Sequence, residues 1–226
     1  MPFSRSAFAR CLPFAIFMAL LGLRGALPPS LSASLGLDAR WIYGLGVVLV
    51  GGTLIWHRQE YGELARQNLP PWREALLAAG VGLAVFALWI TLTAPWMQLG
   101  TPTASFVPVR ADGRLDPALV AVRWVGAAVV VPLMEELFWR GFLMRWVDSP
   151  RFETVDPQRA TWRAVLVSTF IFVLAHTLWL AAAIAGLAYA WLYRRHGRLW
   201  SAVIAHAVTN GVLGAWVVGT GRWEFW

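Results

Sequence analysis

The chain has 226 residues, 58% apolar and 14% charged, with a mean hydropathy of +0.58; an average soluble domain is about half apolar and a quarter charged, so a water-soluble globular protein is excluded. The formal net charge of +7 comes from 19 basic residues, all arginine, spread between apolar runs with no stripe to track a nucleic-acid backbone, which argues against nucleic acid as a partner. One cysteine, Cys11, leaves no internal disulfide framework and no cysteine-rich metal site.

Stretches without a charged side chain run over 11–23, 41–57, 75–109, 164–193 and 199–221, to be set against the roughly 20 residues that cross a bilayer core. Seven spans are predicted, at about 11–27, 41–56, 75–95, 118–146, 163–178, 180–193 and 199–219. The first follows Arg5 and Arg10 and has the shape of a signal peptide. In a chain otherwise built of apolar segments it reads as a retained helix. Residues 96–117, rich in Pro, Gly and Thr, are expected to form an irregular outer loop partly covering the bundle. Residues 147–162 carry mixed charges with Pro150 and Pro157 and read as a solvated cytoplasmic connection. Segment 164–193 is either one helix or two. As one it would reach about 45 Å, overshooting the hydrocarbon, so a turn near Trp179 is expected. Ala182, Gly186 and Ala190 place small residues at helical spacing, as in a closely packed helix pair.

Loop arginines set the orientation. With a cytoplasmic N-terminus the inner side holds Arg5, Arg10, Arg58, Arg66, Arg73, Arg145, Arg151, Arg159, Arg163, Arg194, Arg195 and Arg198, and the outer side Arg24, Arg40, Arg110, Arg114 and Arg222. Twelve against five is the bias of the positive-inside rule. The expectation is an all-α polytopic transmembrane bundle, one integral membrane domain over 1–226, in the plasma (inner) membrane of a bacterium; arginine without lysine fits a G+C-rich genome.

Few ionisable groups fall within the spans: Arg123, Glu135, Glu136, Arg140, His176 and His206, with Asn210 as a notable amide. Arg123 reads as lying near the outer headgroups, and Trp139, Trp179, Trp191 and Trp200 as packing or interface anchors. Left unpaired at mid-bilayer, the three charges between 135 and 140 would cost roughly 8–10 kcal/mol. Glu136 and Arg140, four apart in acid-first order, can bridge on one helical face. Glu135 points about 100° away and needs another partner. His206 and Asn210 share a face of the last span. Counting from the nearest cytoplasmic arginine at about 1.5 Å per residue puts Glu135 about 15 Å, His176 about 20 Å and His206 about 12 Å deep. Three helices thus bring an acid and two imidazoles to similar depth. Singly, each group has a structural reading: an ion pair, a histidine bound to a carbonyl, an amide as interhelical glue.

Together they suit hydrolysis. A carboxylate and an imidazole around one water can take its proton as it attacks a carbonyl, while a second imidazole and an amide N–H hold the developing oxyanion in a site of low dielectric. No Ser-His-Asp set falls at common depth, and Cys11 is remote.

These residues carry a resemblance. The segment MEELFWRGFLMRW contains E-E-x-x-x-R (Glu135, Glu136, Arg140), FVLAH gives F-x-x-x-H (Phe172, His176) and HAVTN gives H-x-x-x-N (His206, Asn210). In order and spacing, over roughly 118–215, they resemble the CPBP family of intramembrane proteases, also called the Abi or CAAX-protease-like family. The resemblance implies that Glu135 and His176 activate water, that His206 and Asn210 stabilise the oxyanion, and that Glu136 and Arg140 support the site, with Glu136 holding a histidine in orientation. The substrate would be a protein or peptide cut near a membrane-embedded or C-terminal part. A narrower likeness, in VPLMEELFWRGFLMRW, SAVIAHAVTN and TGRWEFW, is to the branch associated with exosortase and PEP-CTERM sorting, whose substrate would be a sorted C-terminal anchor. Glu135, His176 and His206 also match the donor set of a zinc site with an open position, leaving metal dependence open. The alternatives are a haem-b protein ligated by His176 and His206, a proton relay, and a non-catalytic scaffold or immunity-type protein.

Overall fold

The computed structural model describes residues 4–34, 36–100 and 106–226; residues 101–105 of the expected outer loop lie outside the described residues. Each predicted apolar segment contains a helix: α1 Arg5–Ala26, α2 Trp41–Trp56, α3 Trp72–Thr91, α4 Pro117–Asp148, α5 Trp162–Leu174, α6 Trp179–His196 and α7 Leu199–Thr220. Four of them, α1, α3, α4 and α7, are long and apolar enough to cross a membrane, while α2 and α5 are apolar but shorter. Among the described residues extended pairing is limited to one isolated bridge, Val109 with Leu115.

The helix ends follow local chemistry. Asp116 caps α4, its carboxylate accepting from the Ala118 and Leu119 amides, with Pro117 in the first turn. Those amide bonds, with the nearby Arg110 guanidinium, hold the Asp116 carboxyl below the usual carboxylate range. Thr161 caps α5 by accepting from the Ala164 amide. The expected break in 164–193 is present. The amides of Ala175 and His176 reach back to Phe172 O and Val173 O, a tightened turn that closes α5, and α6 starts at Trp179. Helices α6 and α7 stop at Gly197 and Gly221, with φ of 68° and 71°, a left-handed conformation that side chains resist.

Close approach between helices depends on small residues. A Cβ added to Gly82 of α3 would run into the backbone carbonyl of Ala205 on α7, and one at Gly186 of α6 would meet Thr169 of α5 at 2.8 Å. The Ala182–Gly186–Ala190 stripe therefore lies in a tight helix pair, as its spacing suggests. Helix α1 leans on α4 through a stacked pair, Phe14 and Phe138, with ring centroids 4.2 Å apart. Cys11 packs against the cluster of Ala7, Phe142 and Phe152.

The connections gather at two ends of the bundle. At one, Tyr61 donates to Ala9 O, Gln158 to Arg195 O and Trp200 to Leu64 O, and Arg198 pairs with Glu74 at 3.0 Å. At the other, Arg40 donates to Val109 O, Trp179 to Trp96 O, and the Leu99 amide to Thr177 O.

Two arginines differ from expectation. Arg10 is no loop residue: it is buried on α1, pairs with Glu63 at 2.6 Å, donates to Glu60 O and lies over the Tyr61 and Phe152 rings. Arg123 is not exposed at the outer end of the bundle. It is buried, donates to Phe106 O, and is sandwiched between the rings of Phe106 and Trp226, each 4.5 Å from its guanidinium carbon. In both cases the returning connection covers the charge, which a count along one helix cannot foresee.

Candidate active site

Helix α4 is not uniformly α-helical. π-helical turns at Gly126–Val130 and Leu137–Met144 flank the α-helical Val131–Glu136, and such turns recur at functional sites. Pro132 accounts for part of this, since it has no amide and its ring crowds the preceding turn. The Val131 amide reaches five residues back to Gly126 O. In that register the partner of Ala127 O would be the amide of residue 132, which proline lacks. Asn210 of α7 supplies the missing donor, its Nδ2 lying 3.0 Å from Ala127 O. The amide expected for an oxyanion thus already spends one N–H on the backbone and keeps the other.

The glutamate pair divides its duties. Glu136 is fully buried, and its Oε1 accepts from Arg140 Nη1 at 3.0 Å and from His206 Nδ1 at 2.8 Å. Arg140 also donates to Gly186 O and lies over the rings of Phe172 and Tyr189. The predicted Glu136–Arg140 bridge is present. Spacing sets Glu135 at the depth of both imidazoles without choosing between them, and the structure pairs His206 with Glu136. Glu135 is half-buried and accepts from Trp139 Nε1 at 3.3 Å, so Trp139 is a polar partner as well as packing.

Both imidazoles have one nitrogen committed. His176 Nδ1 lies 2.7 Å from Phe172 O. A carbonyl only accepts, so this nitrogen carries the hydrogen and Nε2 is left as the basic atom when the ring is neutral. His206 donates from Nδ1 to the Glu136 carboxylate and stacks on Tyr189 at 5.1 Å and 20°. The Tyr189 hydroxyl donates to Thr209 Oγ1 at 2.8 Å, which in turn lies within hydrogen-bond reach of Gly82 O and Ala205 O.

Glu135, His176, His206 and Asn210, from α4, the end of α5, and α7, line one cavity of about 190 Å³ together with Tyr189 and Thr209. Glu136 and Arg140 lie behind it. A larger apolar depression of about 490 Å³ sits among Leu54, Arg58, Tyr61 and Trp200 and holds none of these groups. Pockets that bury a ligand of drug size start at about 300 Å³, so the smaller cavity does not suit a haem between His176 and His206. A zinc site does not fit either. Among the described residues no three His, Cys, Asp or Glu side chains gather into a group able to hold a metal ion, although Glu135, His176 and His206 share the cavity.

Residues 117–212 match the family model described as Type II CAAX prenyl endopeptidase Rce1-like. The match spans α4 to most of α7, contains all three motifs and agrees with the CPBP resemblance. It points to an intramembrane endopeptidase and a peptide substrate; the narrower exosortase-associated likeness gains no support from it. No curated protein and no solved structure matches the chain.

Tyr189 and Thr209 escape a reading based on charge, being neutral hydroxyls on apolar helices. Thr209 had one available signal, its place between His206 and Asn210 in HAVTN. The cavity also takes walls from Trp89, Phe225 and Trp226, whose distance in sequence hides them.

Proposed function

We propose that this protein is an endopeptidase of a bacterial plasma membrane that hydrolyses a peptide bond near the membrane-embedded or C-terminal part of a protein substrate. One observation carries the reading: four chemically matched groups, all within the segment that matches the endopeptidase family, line a single cavity.

Glu135, with His176 beside it in the cavity wall, takes a proton from a water as its oxygen attacks the scissile carbonyl carbon. The Phe172 carbonyl fixes the His176 tautomer so that Nε2 is the accepting atom. Negative charge grows on the carbonyl oxygen and is met by the free N–H of Asn210 and by His206, protonated at Nε2. The Glu136 carboxylate accepts from the other ring nitrogen and fixes the orientation of the imidazole. Collapse of the intermediate breaks the C–N bond, and the proton held at the Glu135–His176 pair passes to the leaving amine, giving a carboxylate and an amine. Removing one oxyanion donor in comparable sites costs about 10²–10³ in rate. No step is routed through a metal.

Glu135→Gln preserves shape and removes the base. The test compares the C-terminal peptides of membrane proteins in cells carrying the native chain, the Glu135→Gln chain or neither. Trimmed C-termini are expected with the native chain alone. Equal trimming by the Glu135→Gln variant overturns the assignment, and identical peptides in all three overturn the protease reading.

A further inference from the structure

The cavity has a direction. Of its wall residues nearest an end of the bundle, Trp89 lies two residues before the end of α3, His176 just after α5, and Phe225 and Trp226 beyond α7. All belong to the end that carries the 92–116, 175–178 and 221–226 connections. No wall residue comes from the connections 57–71, 149–161 or 197–198 at the opposite end. Toward the opposite end lie the charge pairs of Arg140 with Glu136, Arg10 with Glu63 at 2.6 Å and Arg198 with Glu74 at 3.0 Å, and the separate apolar depression among Leu54, Tyr61 and Trp200, which shares no residue with the cavity.

The two ends also differ in arginine. The end away from the cavity carries the twelve arginines from Arg5 to Arg198 named above. The cavity end carries Arg24, Arg40, Arg110, Arg114 and Arg222, with Arg123 buried beneath Phe106 and Trp226. Acidic side chains contribute little to topology, so the pairing of Arg10 and Arg198 does not cancel the bias. Tryptophans at the cavity mouth suit a membrane–water boundary, and a hydrolase needs water from that side.

We infer that the active site opens on the face of the membrane away from the cytoplasm, and that its substrates are membrane-anchored polypeptides whose scissile bond lies in the outer half of the bilayer or just outside it. Peptides presented from the cytosol are excluded by this orientation. The substrate half of the inference rests on the endopeptidase reading; the orientation half is measured without it.

The experiment uses the full chain with Cys11→Ser as background and adds one cysteine at a time: Ala111→Cys in the loop at the cavity end, Thr154→Cys in the arginine-rich connection, and Phe225→Cys in the partly exposed part of the cavity wall. A membrane-impermeant maleimide is applied to spheroplasts and to inverted vesicles. Labelling of the Ala111 and Phe225 variants in spheroplasts, and of the Thr154 variant in inverted vesicles alone, is expected. Labelling of the Thr154 variant in spheroplasts, or labelling of the Phe225 variant in inverted vesicles alone, overturns the inference. A protein that labels as expected while trimming no substrate sinks the protease reading and leaves the orientation standing.

Discussion

Glu135 and Glu136 are neighbours in sequence and occupy opposite kinds of surroundings. Around Glu136 the groups hold one another: Arg140 and His206 on one carboxylate oxygen, Gly186 O on Arg140, Tyr189 against the His206 ring. Around Glu135 there is one indole N–H at 3.3 Å and a cavity. A membrane interior tolerates an acid in two ways, by enclosing it in counter-charge or by giving it access to water and work to do. The same fold does both within one turn of α4.

The comparison breaks if the same substitution has the same effect at both positions. Glu135→Gln is expected to abolish cleavage and leave the thermal midpoint in detergent close to that of the native chain. Glu136→Gln leaves the Arg140 guanidinium buried without its counter-ion and should destabilise by about 3–5 kcal/mol, read as a large drop in that midpoint. Equal midpoints for the two variants would place both acids in one kind of environment. Thr209→Val is a gentler probe. It removes the acceptor of the Tyr189 hydroxyl and the link to Gly82 O, for about 1–3 kcal/mol, and loosens the ring on which His206 rests. Partial loss of cleavage with a modest midpoint shift is expected; unchanged cleavage would free His206 from dependence on that hydroxyl pair. Smallest is Thr161→Ala, which removes the α5 cap far from either acid. It should cost about 1 kcal/mol of stability and leave cleavage unaltered, separating stability from chemistry.

The elements were legible because bilayer thickness imposes a length and an absence of charge that sequence displays directly. The turn before Trp179 followed from that length alone, and the motifs from the rarity of acids and imidazoles in apolar runs. Partner choice was less accessible. The pairing of His206 with Glu136 joins two helices, and facing along one helix does not say which group of a neighbour it meets. The burial of Arg10 and Arg123 depends on rings from Phe152, Phe106 and Trp226, far along the chain. Periodicity within one helix carries no information about such visitors.

Pro132 has a consequence beyond its own helix. Its missing amide leaves Ala127 O open, and the open carbonyl is what holds the Asn210 carboxamide in place. An amide-bearing residue at position 132 would offer Ala127 O a partner within α4 and leave the Asn210 carboxamide free to turn, so a change on one helix would be felt as lost order on another.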